Sequence, residues 1–260
     1  MIPSFFISHS TPRMSIEVNE YTQFLQQLSQ TLPRPKAIIL FSAHWESNLQ
    51  QVSEVLEYPV IYDFYGFPDE MYQIRYPAKG DIPIAQEIEG LLDKYGVSYE
   101  VETTRGLDHG AWVILRLLYP NADIPVISMS VNPQLAPKEQ YAIGKALSAL
   151  RTNDIFIIGS GVTVHNGRAL KRHEKTGQAD EWALEFDDWL AHHLKNWDVD
   201  SLFNYERLAP SVQLAVPVYG NEHFIPLFYA MGAADDVKKA TLLHRSYRWG
   251  NLSQSVWQFG

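Results

Sequence analysis

The sequence predicts a single α/β domain, with a central mostly parallel or mixed sheet flanked by helices. Short apolar, β-branched runs alternate along the chain with longer amphipathic segments, an order typical of βαβ units. Several runs are apolar throughout, as in strands covered on both faces. With 46% hydrophobic residues, the 260-residue chain has enough apolar material for one large core. We therefore expect one domain over residues 1–260.

The N-terminal part alternates strand and helix. Residues 3–9 (PSFFISH) and 36–43 (KAIILFSA) are predicted strands, because their apolar residues run almost without interruption. Residues 15–32 between them are a predicted helix. Its apolar stripe has helical spacing and consists of Val18, Tyr21, Phe24, Leu25 and Leu28.

The next segment is less regular. Residues 46–80 are rich in Tyr, Phe, Pro and Gly, and so long an aromatic segment is either a functional loop or one whose structure the pattern does not predict. Residues 82–96 then form a predicted helix, for which Gly96 suits the C-terminal cap. Residues 97–102 are a short predicted strand.

The C-terminal part continues the alternation. The residues 109–120 are a predicted helix stopped by Pro120, and a proline near the start of 136–150 suits a first helical turn. The remaining predictions are strands at 124–131 and 154–162, helices at 179–196 and 221–234, and two final strands at 238–249 and 252–260 that pair with each other.

Composition excludes several classes of protein. A formal net charge of −9 argues against a nucleic-acid surface, and the one basic cluster, GRALKRHEK, is short and is predicted to be a solvated loop or helix end. No cysteine is present, so disulfides and thiolate chemistry are excluded. No apolar stretch approaches the length of a membrane span. We expect a cytoplasmic protein with no membrane or nucleic-acid partner.

Histidines mark the candidate site. His9, His44 and His165 all follow or end apolar strands, and the carboxyl ends of parallel strands are where open sheets bind ligands. His109 follows Asp108 at the start of a helix, and His223 lies near another helix start beside Glu222, so either of that pair is able to face inward. The other histidines, His173, His192, His193 and His244, are predicted to lie on the surface or a helix face.

These residue types predict metal chemistry. Two or three imidazoles with at most one carboxylate, and no thiolate, suit Fe(II) or Zn(II). A histidine left off the metal is suited to general acid–base work. Four aromatic residues of the irregular segment are able to wall a flat ring, or simply to pack on the core: Tyr62, Phe64, Tyr65 and Phe67. The chain has no GxSxG, GxGxxG or GxxxxGK[ST] motif, so neither a nucleophile elbow nor nucleotide binding is indicated.

Taken together, the motifs resemble a known family. The segments FISHST, LPRPKAIILFSAHW, YDFYGFP, YPAKG, GLDHGAW, YPNADIPVISMSV, IGSGVTVHN and NEHFIPLFYAMGAA occur in the order found in class III extradiol ring-cleavage dioxygenases, of the DOPA 4,5-dioxygenase-like branch. The likeness spans about residues 3–258. It implies a single catalytic domain that opens a catechol ring with O2 to give a semialdehyde.

The resemblance also implies roles for individual residues. Three metal ligands correspond to His9, His44 and His223, with Glu222 as a rival to His223 because the wider class uses two histidines and one glutamate. His165 corresponds to the acid–base histidine and His109 to a second pocket histidine. Fe(II) is the implied working metal, and Zn(II) is able to occupy the same ligands.

The residues beside the first histidine differ from those of many relatives. Many relatives have glycine beside the first histidine, where this chain has Ser8 and Ser10, so the substrate is not fixed by the resemblance. A zinc-dependent hydrolase using the same histidines and a non-catalytic binding protein with this fold are the alternatives. The expected partners are a small aromatic diol and O2, and the chain is either a monomer or a homodimer.

Overall fold

One mixed sheet forms the centre of the protein. Across residues 1–171 and 178–260, which the computed structural model describes, eight strands pair in the order β4-β3-β5-β2-β6-β1-β8-β7. Their bounds are β1 Ser4–Ser8, β2 Ala37–Glu46, β3 Gln50–Ser53, β4 Tyr99–Glu102, β5 Val126–Val131, β6 Ile155–Gly161, β7 Ala240–Arg248 and β8 Leu252–Phe259. The predicted single α/β domain is confirmed.

Four central strands are parallel, and this places their carboxyl ends together. β2 pairs in parallel with both β5 and β6, and β6 pairs in parallel with β1. The final strand, β8, joins β1 antiparallel and pairs with β7, as the sequence predicted for the tail. β1, β5 and β6 are buried along their whole length, because helices cover both faces of the sheet.

Nine α-helices surround the sheet within the same described ranges. They are α1 Glu20–Thr31, α2 Ile82–Lys94, α3 His109–Leu118, α4 Pro137–Ala146, α5 Glu181–Lys195, α6 Val199–Phe203, α7 Tyr205–Leu208, α8 Val212–Ala215 and α9 Pro226–Gly232. α3 is buried on nearly every side, since it lies between α1 and the sheet. Its first residue, His109, is thereby held in the interior.

The structure corrects several predicted boundaries. α1 begins at Glu20, because Asn19 and Thr22 form a reciprocal capping box, and Val18 is left 80% exposed before the helix. The irregular segment 46–80 contains the strand β3. The predicted helix 221–234 is divided into a 3-10 turn, Val218–His223, and α9, which has a proline at its start.

The remaining sequence predictions have separate outcomes. No helix in the described ranges is both long and apolar enough to span a bilayer, and the cytoplasmic location stays a prediction. His192 is exposed and His193 is partly buried, whereas His244 packs against Tyr21 and Phe24. The last four residues of the basic cluster, 172–175, which include His173, lie outside the described residues.

Candidate metal centre and active site

The candidate site lies at the carboxyl edge of the parallel strands. His9 follows β1 directly, His44 lies near the end of β2, and His165 lies four residues after β6, the strand between the other two. His109 and His223 approach the same edge from α3 and from the 3-10 turn. All five histidines line one cavity of about 590 Å³.

Three of these histidines bring their ligand atoms together. One candidate ligand atom from each of His9, His44 and His223 lies within 4.8 Å of the others. The Nε2 atoms of His9 and His44 are 3.1 Å apart. This separation fits two ligands of one cation, because metal–nitrogen bonds of about 2.1 Å place adjacent ligand atoms about 3 Å from each other.

Hydrogen bonds on the far side of two rings favour this ligand set. Ser160 donates its hydroxyl to Gly110 O at 2.5 Å, so its oxygen accepts from Nδ1 of His9 at 3.1 Å. His223 donates Nδ1 to Glu222 Oε1 at 2.8 Å. Both bonds place a proton on Nδ1, so Nε2 is the ring nitrogen left to bind a metal.

Glu222 and His223 are alternative candidates for the third metal ligand, and the position of Glu222 distinguishes between them. Its carboxylate lies behind the imidazole of His223 as a hydrogen-bond acceptor. Burial acts to raise the pKa of Glu222, but the hydrogen bond and charge of His223 outweigh it and lower the pKa. In this arrangement Glu222 orients the histidine, and His223 is the member of the pair that joins the cluster.

Electrostatics keep the rings of His9 and His44 unprotonated. Burial, followed by the charges of the neighbouring histidines, holds the pKa of His9 well below its usual range. The same causes lower the pKa of His44, with Arg105 adding to them. Neutral imidazole is the form that binds metals, so the donor set fits a non-haem cation such as Fe(II) or Zn(II).

Asp63 holds His109 by two hydrogen bonds. The backbone N–H of His109 donates to Oδ1 and its ring Nδ1 donates to Oδ2, both at 2.9 Å. Burial acts to raise the pKa of Asp63, but these bonds outweigh it and lower the pKa. Asp63, His109 and His44 form a second group of possible ligands, but Oδ2 of Asp63 is already engaged by His109.

His165 lies directly against the cluster. Its ring stacks on that of His223, with centroids 4.4 Å apart and planes 14° from parallel. Burial and then the charge of His223 lower the pKa of His165 to about 3. The ring is therefore neutral near pH 7 and has a lone pair with which to accept a proton.

Two glycines make the close approach of these elements possible. A Cβ on Gly110 would lie 2.9 Å from both His44 Cδ2 and Ser42 Oγ, and a Cβ on Gly161 would lie 2.1 Å from His223 O. Side chains at these positions would push α3 and the 3-10 turn away from the strand ends. Ser42 also donates to Asp108 at 2.6 Å, which ties β2 to the start of α3.

The serines beside His9 have structural partners. Ser8 donates to Ser253 O at 2.8 Å, and Ser10 accepts from Gln254 at 3.0 Å, so both connect the first loop to β8. Ser10 has a φ of 50°, the left-handed region that glycine adopts most readily. Glycine would adopt this backbone conformation with less strain than Ser10 does.

The aromatic segment divides into two pairs. Tyr65 and Phe67 line the cavity, and Tyr65 is 90% exposed at its mouth. Tyr62 and Phe64 are not among the lining residues: Tyr62 donates to Ile74 O at 2.6 Å, and Phe64 is buried. Two of the four predicted wall residues thus line the cavity and the other two pack behind them, and contact of these residues with a ligand stays a prediction.

Sequence reasoning missed other parts of the site. Asp63 occurs in the YDFYGFP motif, but nothing in the sequence connects it to His109. Arg13 and the Arg248–Trp249 pair also line the cavity. Arg13 lies where the sequence predicts no element, and Arg248 and Trp249 lie at the end of the predicted strand 238–249.

The fold and the site define a class. An α/β sheet with a histidine cluster at the carboxyl ends of its strands, in a cavity large enough for a single aromatic ring, is the architecture of a non-haem metal enzyme. Residues 2–258 match the family described as the catalytic LigB subunit of aromatic ring-opening dioxygenase.

Individual relatives agree with this match. The chain is 40% identical over 260 residues to a protein of Beta vulgaris named 4,5-DOPA dioxygenase extradiol, covering 98% of this chain and 96% of that one. An Escherichia coli K12 protein of the same name is 34% identical, covering 100% and 95%. A crystal structure of an uncharacterized Escherichia coli K12 protein superposes with a TM-score of 0.83 at 31% identity, covering 100% of both chains.

The chain belongs to the LigB family of class III extradiol dioxygenases. It is an extradiol ring-cleavage dioxygenase, an oxidoreductase that incorporates O2, with a candidate metal site of histidine and aspartate side chains. The family implies a non-haem metal, an aromatic diol substrate and O2.

Proposed function

We propose that the enzyme binds one Fe(II) through His9, His44 and His223 and opens a catechol ring beside its two hydroxyls. The observation that carries this proposal is the convergence of three imidazoles, two of them with Nδ1 engaged by Ser160 and Glu222. When bound, Fe(II) supplies Lewis acidity toward the catechol oxygens and the redox chemistry that lets O2 react.

His165 is the proposed acid–base group. Its neutral ring lines the same cavity as the ligands and stacks on His223, within reach of a catechol held at the cluster. It accepts a proton from one hydroxyl and returns it as the ring opens to the semialdehyde. General acid–base catalysis of this kind contributes about 10²- to 10⁴-fold.

His109 is proposed to stabilise negative charge on oxygen. With Nδ1 donating to Asp63, a proton on Nε2 makes the ring a donor toward the cavity, and the carboxylate offsets the resulting positive charge. The two bonds from Asp63 fix the ring before substrate arrives, which is the preorganisation that such a donor requires.

Tyr65 and Phe67 are the proposed walls for the aromatic ring. Both line the cavity beside the histidines. Phe64 packs edge-on to Phe67 with centroids 5.2 Å apart, and Tyr62 packs edge-on to Phe64 at 6.1 Å. Phe64 therefore supports Phe67 and Tyr62 supports Phe64, and Tyr62 and Phe64 contribute to binding through that support.

The proposal treats residues 1–260 as one catalytic domain, because the site draws on β1, β2, β6, α3 and the segment before α9. Catechols of the DOPA type are the first compounds to test, since relatives from Beta vulgaris and Escherichia coli carry the name 4,5-DOPA dioxygenase extradiol.

The test is reconstitution of metal-free protein with Fe(II) without oxygen, followed by O2 uptake on mixing with a panel of catechols. We expect about one Fe(II) per chain, consumption of one O2 per catechol, and a yellow ring-opened product. The same protein loaded with Zn(II) is the control, and it should consume no O2. Absence of uptake by the iron-loaded protein with every catechol would contradict the proposal.

A further inference from the structure

The charged side chains that line the cavity are arginines. No aspartate or glutamate is among its lining residues in the described ranges, whereas Arg13 and Arg248 are. Guanidinium groups remain charged at every physiological pH. Positive charge therefore lies on the cavity wall itself, whereas the carboxylates of Asp63, Glu222 and Glu17 lie behind the lining residues to which they are bonded.

Arg248 already has a partner. Its two terminal nitrogens donate to the two carboxylate oxygens of Glu17, one of these bonds measuring 2.8 Å. The guanidinium also lies over the ring of Trp249, 4.3 Å from the centroid. The bidentate carboxylate of Glu17 neutralises the charge of Arg248 within the protein. Arg248 is therefore not the residue available to bind an anionic ligand.

Arg13 has no such partner. Its guanidinium makes no ion pair or hydrogen bond with any residue in the described ranges. The guanidinium carbon of Arg13 lies 5.7 Å from the centroid of the Phe67 ring. A half-buried arginine on a cavity wall, with no anion to bind, is suited to an anionic ligand.

The segment around Arg13 is fixed rather than loose. Arg13 lies in the 3-10 turn Pro12–Ser15, whose other residues are buried, and Ser15 O accepts from Arg116 at 2.7 Å. Thr11, which also lines the cavity, is 8% exposed, and its buried hydroxyl has no hydrogen-bond partner among the described residues. A buried unpaired hydroxyl is unfavourable until a ligand satisfies it.

From these contacts we infer that Arg13 determines substrate specificity by binding a carboxylate on the side chain of the catechol. The inference rests on the proposed function, in which the two hydroxyls are held at the histidine cluster. A planar guanidinium matches a carboxylate through paired hydrogen bonds, and the Thr11 hydroxyl is available to the same group. The preferred substrates are therefore catechols with an acidic side chain.

The test compares two substrates of nearly equal size. Dihydrocaffeate has a propanoate side chain, and its primary amide replaces the carboxylate with a neutral group. For the iron-loaded parent enzyme we expect kcat/KM to favour the acid by about 10- to 100-fold. Arg13→Gln should bring the ratio close to one with metal content unchanged. Arg34→Gln is the control, since Arg34 is exposed and pairs with Asp123, and it should keep the parent ratio.

A charge reversal provides the second arm. Arg13→Glu should favour dopamine, whose side chain is cationic, over dihydrocaffeate, the reverse of the parent enzyme. A ratio near one in the parent, or an unchanged preference for the acid in both Arg13 variants, would overturn the inference.

Binding separates this inference from the proposed function. Titration of each compound into the iron-loaded protein without oxygen measures affinity with no turnover. A preference for the acid that Arg13→Gln abolishes supports the assignment of Arg13, even if no O2 is consumed and the proposed function fails. Equal affinity of the parent for acid and amide contradicts the assignment, whatever the turnover.

Discussion

The ring of His165 stacks on the ring of His223, with centroids 4.4 Å apart and planes 14° from parallel. The two histidines come from different segments, and Nδ1 of His223 is engaged by Glu222 on its other side. The contact joins the proposed proton acceptor to a proposed ligand without sharing a hydrogen bond. Their roles are therefore separable by substitution.

We expect His165→Ala to keep the metal and lose turnover. The bond from His223 to Glu222 does not depend on His165, so the ligands stay oriented, while kcat/KM falls by about 10²- to 10⁴-fold because the proton acceptor is gone. Metal analysis of the purified variant beside single-turnover kinetics measures both quantities. Loss of metal together with activity would show that His165 is a ligand and that the assigned role is wrong.

His44→Ala should abolish metal binding. This ring faces His9 across 3.1 Å and belongs to both groups of possible ligands, so no arrangement of the site dispenses with it. Iron content after anaerobic reconstitution is the measurement. His192→Ala, on the exposed end of α5, is the matched control and should retain the parent content; a His44→Ala protein with full iron would exclude this centre.

Glu222→Gln distinguishes an orienting carboxylate from a ligand. The amide oxygen still accepts from His223 Nδ1, so we expect the metal to remain bound, with affinity lowered about 10- to 100-fold because the charge that strengthens the ligand is lost. Competition against a chelator gives the affinity. A variant as metal-free as His223→Ala would instead identify Glu222 as a ligand.

Local sequence patterns predicted the strand-end histidines because each lies at the end of a continuous apolar run, and parallel strands align those ends. This pattern alone was enough to predict that His9, His44 and His165 lie at the same edge of the sheet. The presence of Arg248 beside the cavity was not predictable in this way. It depends on the antiparallel pairing of β8 with β1, a contact between the two ends of the chain that no local pattern records.

The aromatic segment shows a second limit. Tyr65 lies at the cavity mouth, whereas Phe64, its neighbour in sequence, is buried. In a strand or helix, periodicity would separate inward from outward positions, but this segment has no regular repeat. Which of Tyr62, Phe64, Tyr65 and Phe67 face the cavity therefore depended on tertiary packing.

Packing between α4 and α9 gives a test of stability. A Cβ on Gly144 would lie 1.9 Å from Tyr229 O, whereas a Cβ on Gly90, in α2, would meet nothing within 4 Å. We expect Gly144→Ala to lower the free energy of unfolding by about 1–3 kcal/mol, because the helices are forced apart. Gly90→Ala should raise it by about 0.5–1 kcal/mol through helix propensity. Urea denaturation of both variants measures this, and equal effects would contradict the close contact.

Asp235 gives a prediction for pH. Lys145 Nζ lies 2.8 Å from its Oδ2, and Tyr141 donates to Oδ1 at 2.5 Å. Burial acts to raise the pKa of Asp235, but these partners outweigh it and lower the pKa.

A carboxylate whose pKa is lower in the folded protein stabilises the fold above its unfolded pKa of about 3.9, and this stabilisation is lost as pH falls through the folded value. Asp235→Asn keeps an acceptor for Tyr141 but removes the charge. Its melting temperature should therefore be below that of the parent at neutral pH, and the difference should shrink below about pH 4. Thermal unfolding across a pH series tests this, and a difference that is constant with pH would show that the charge of Asp235 contributes nothing to stability.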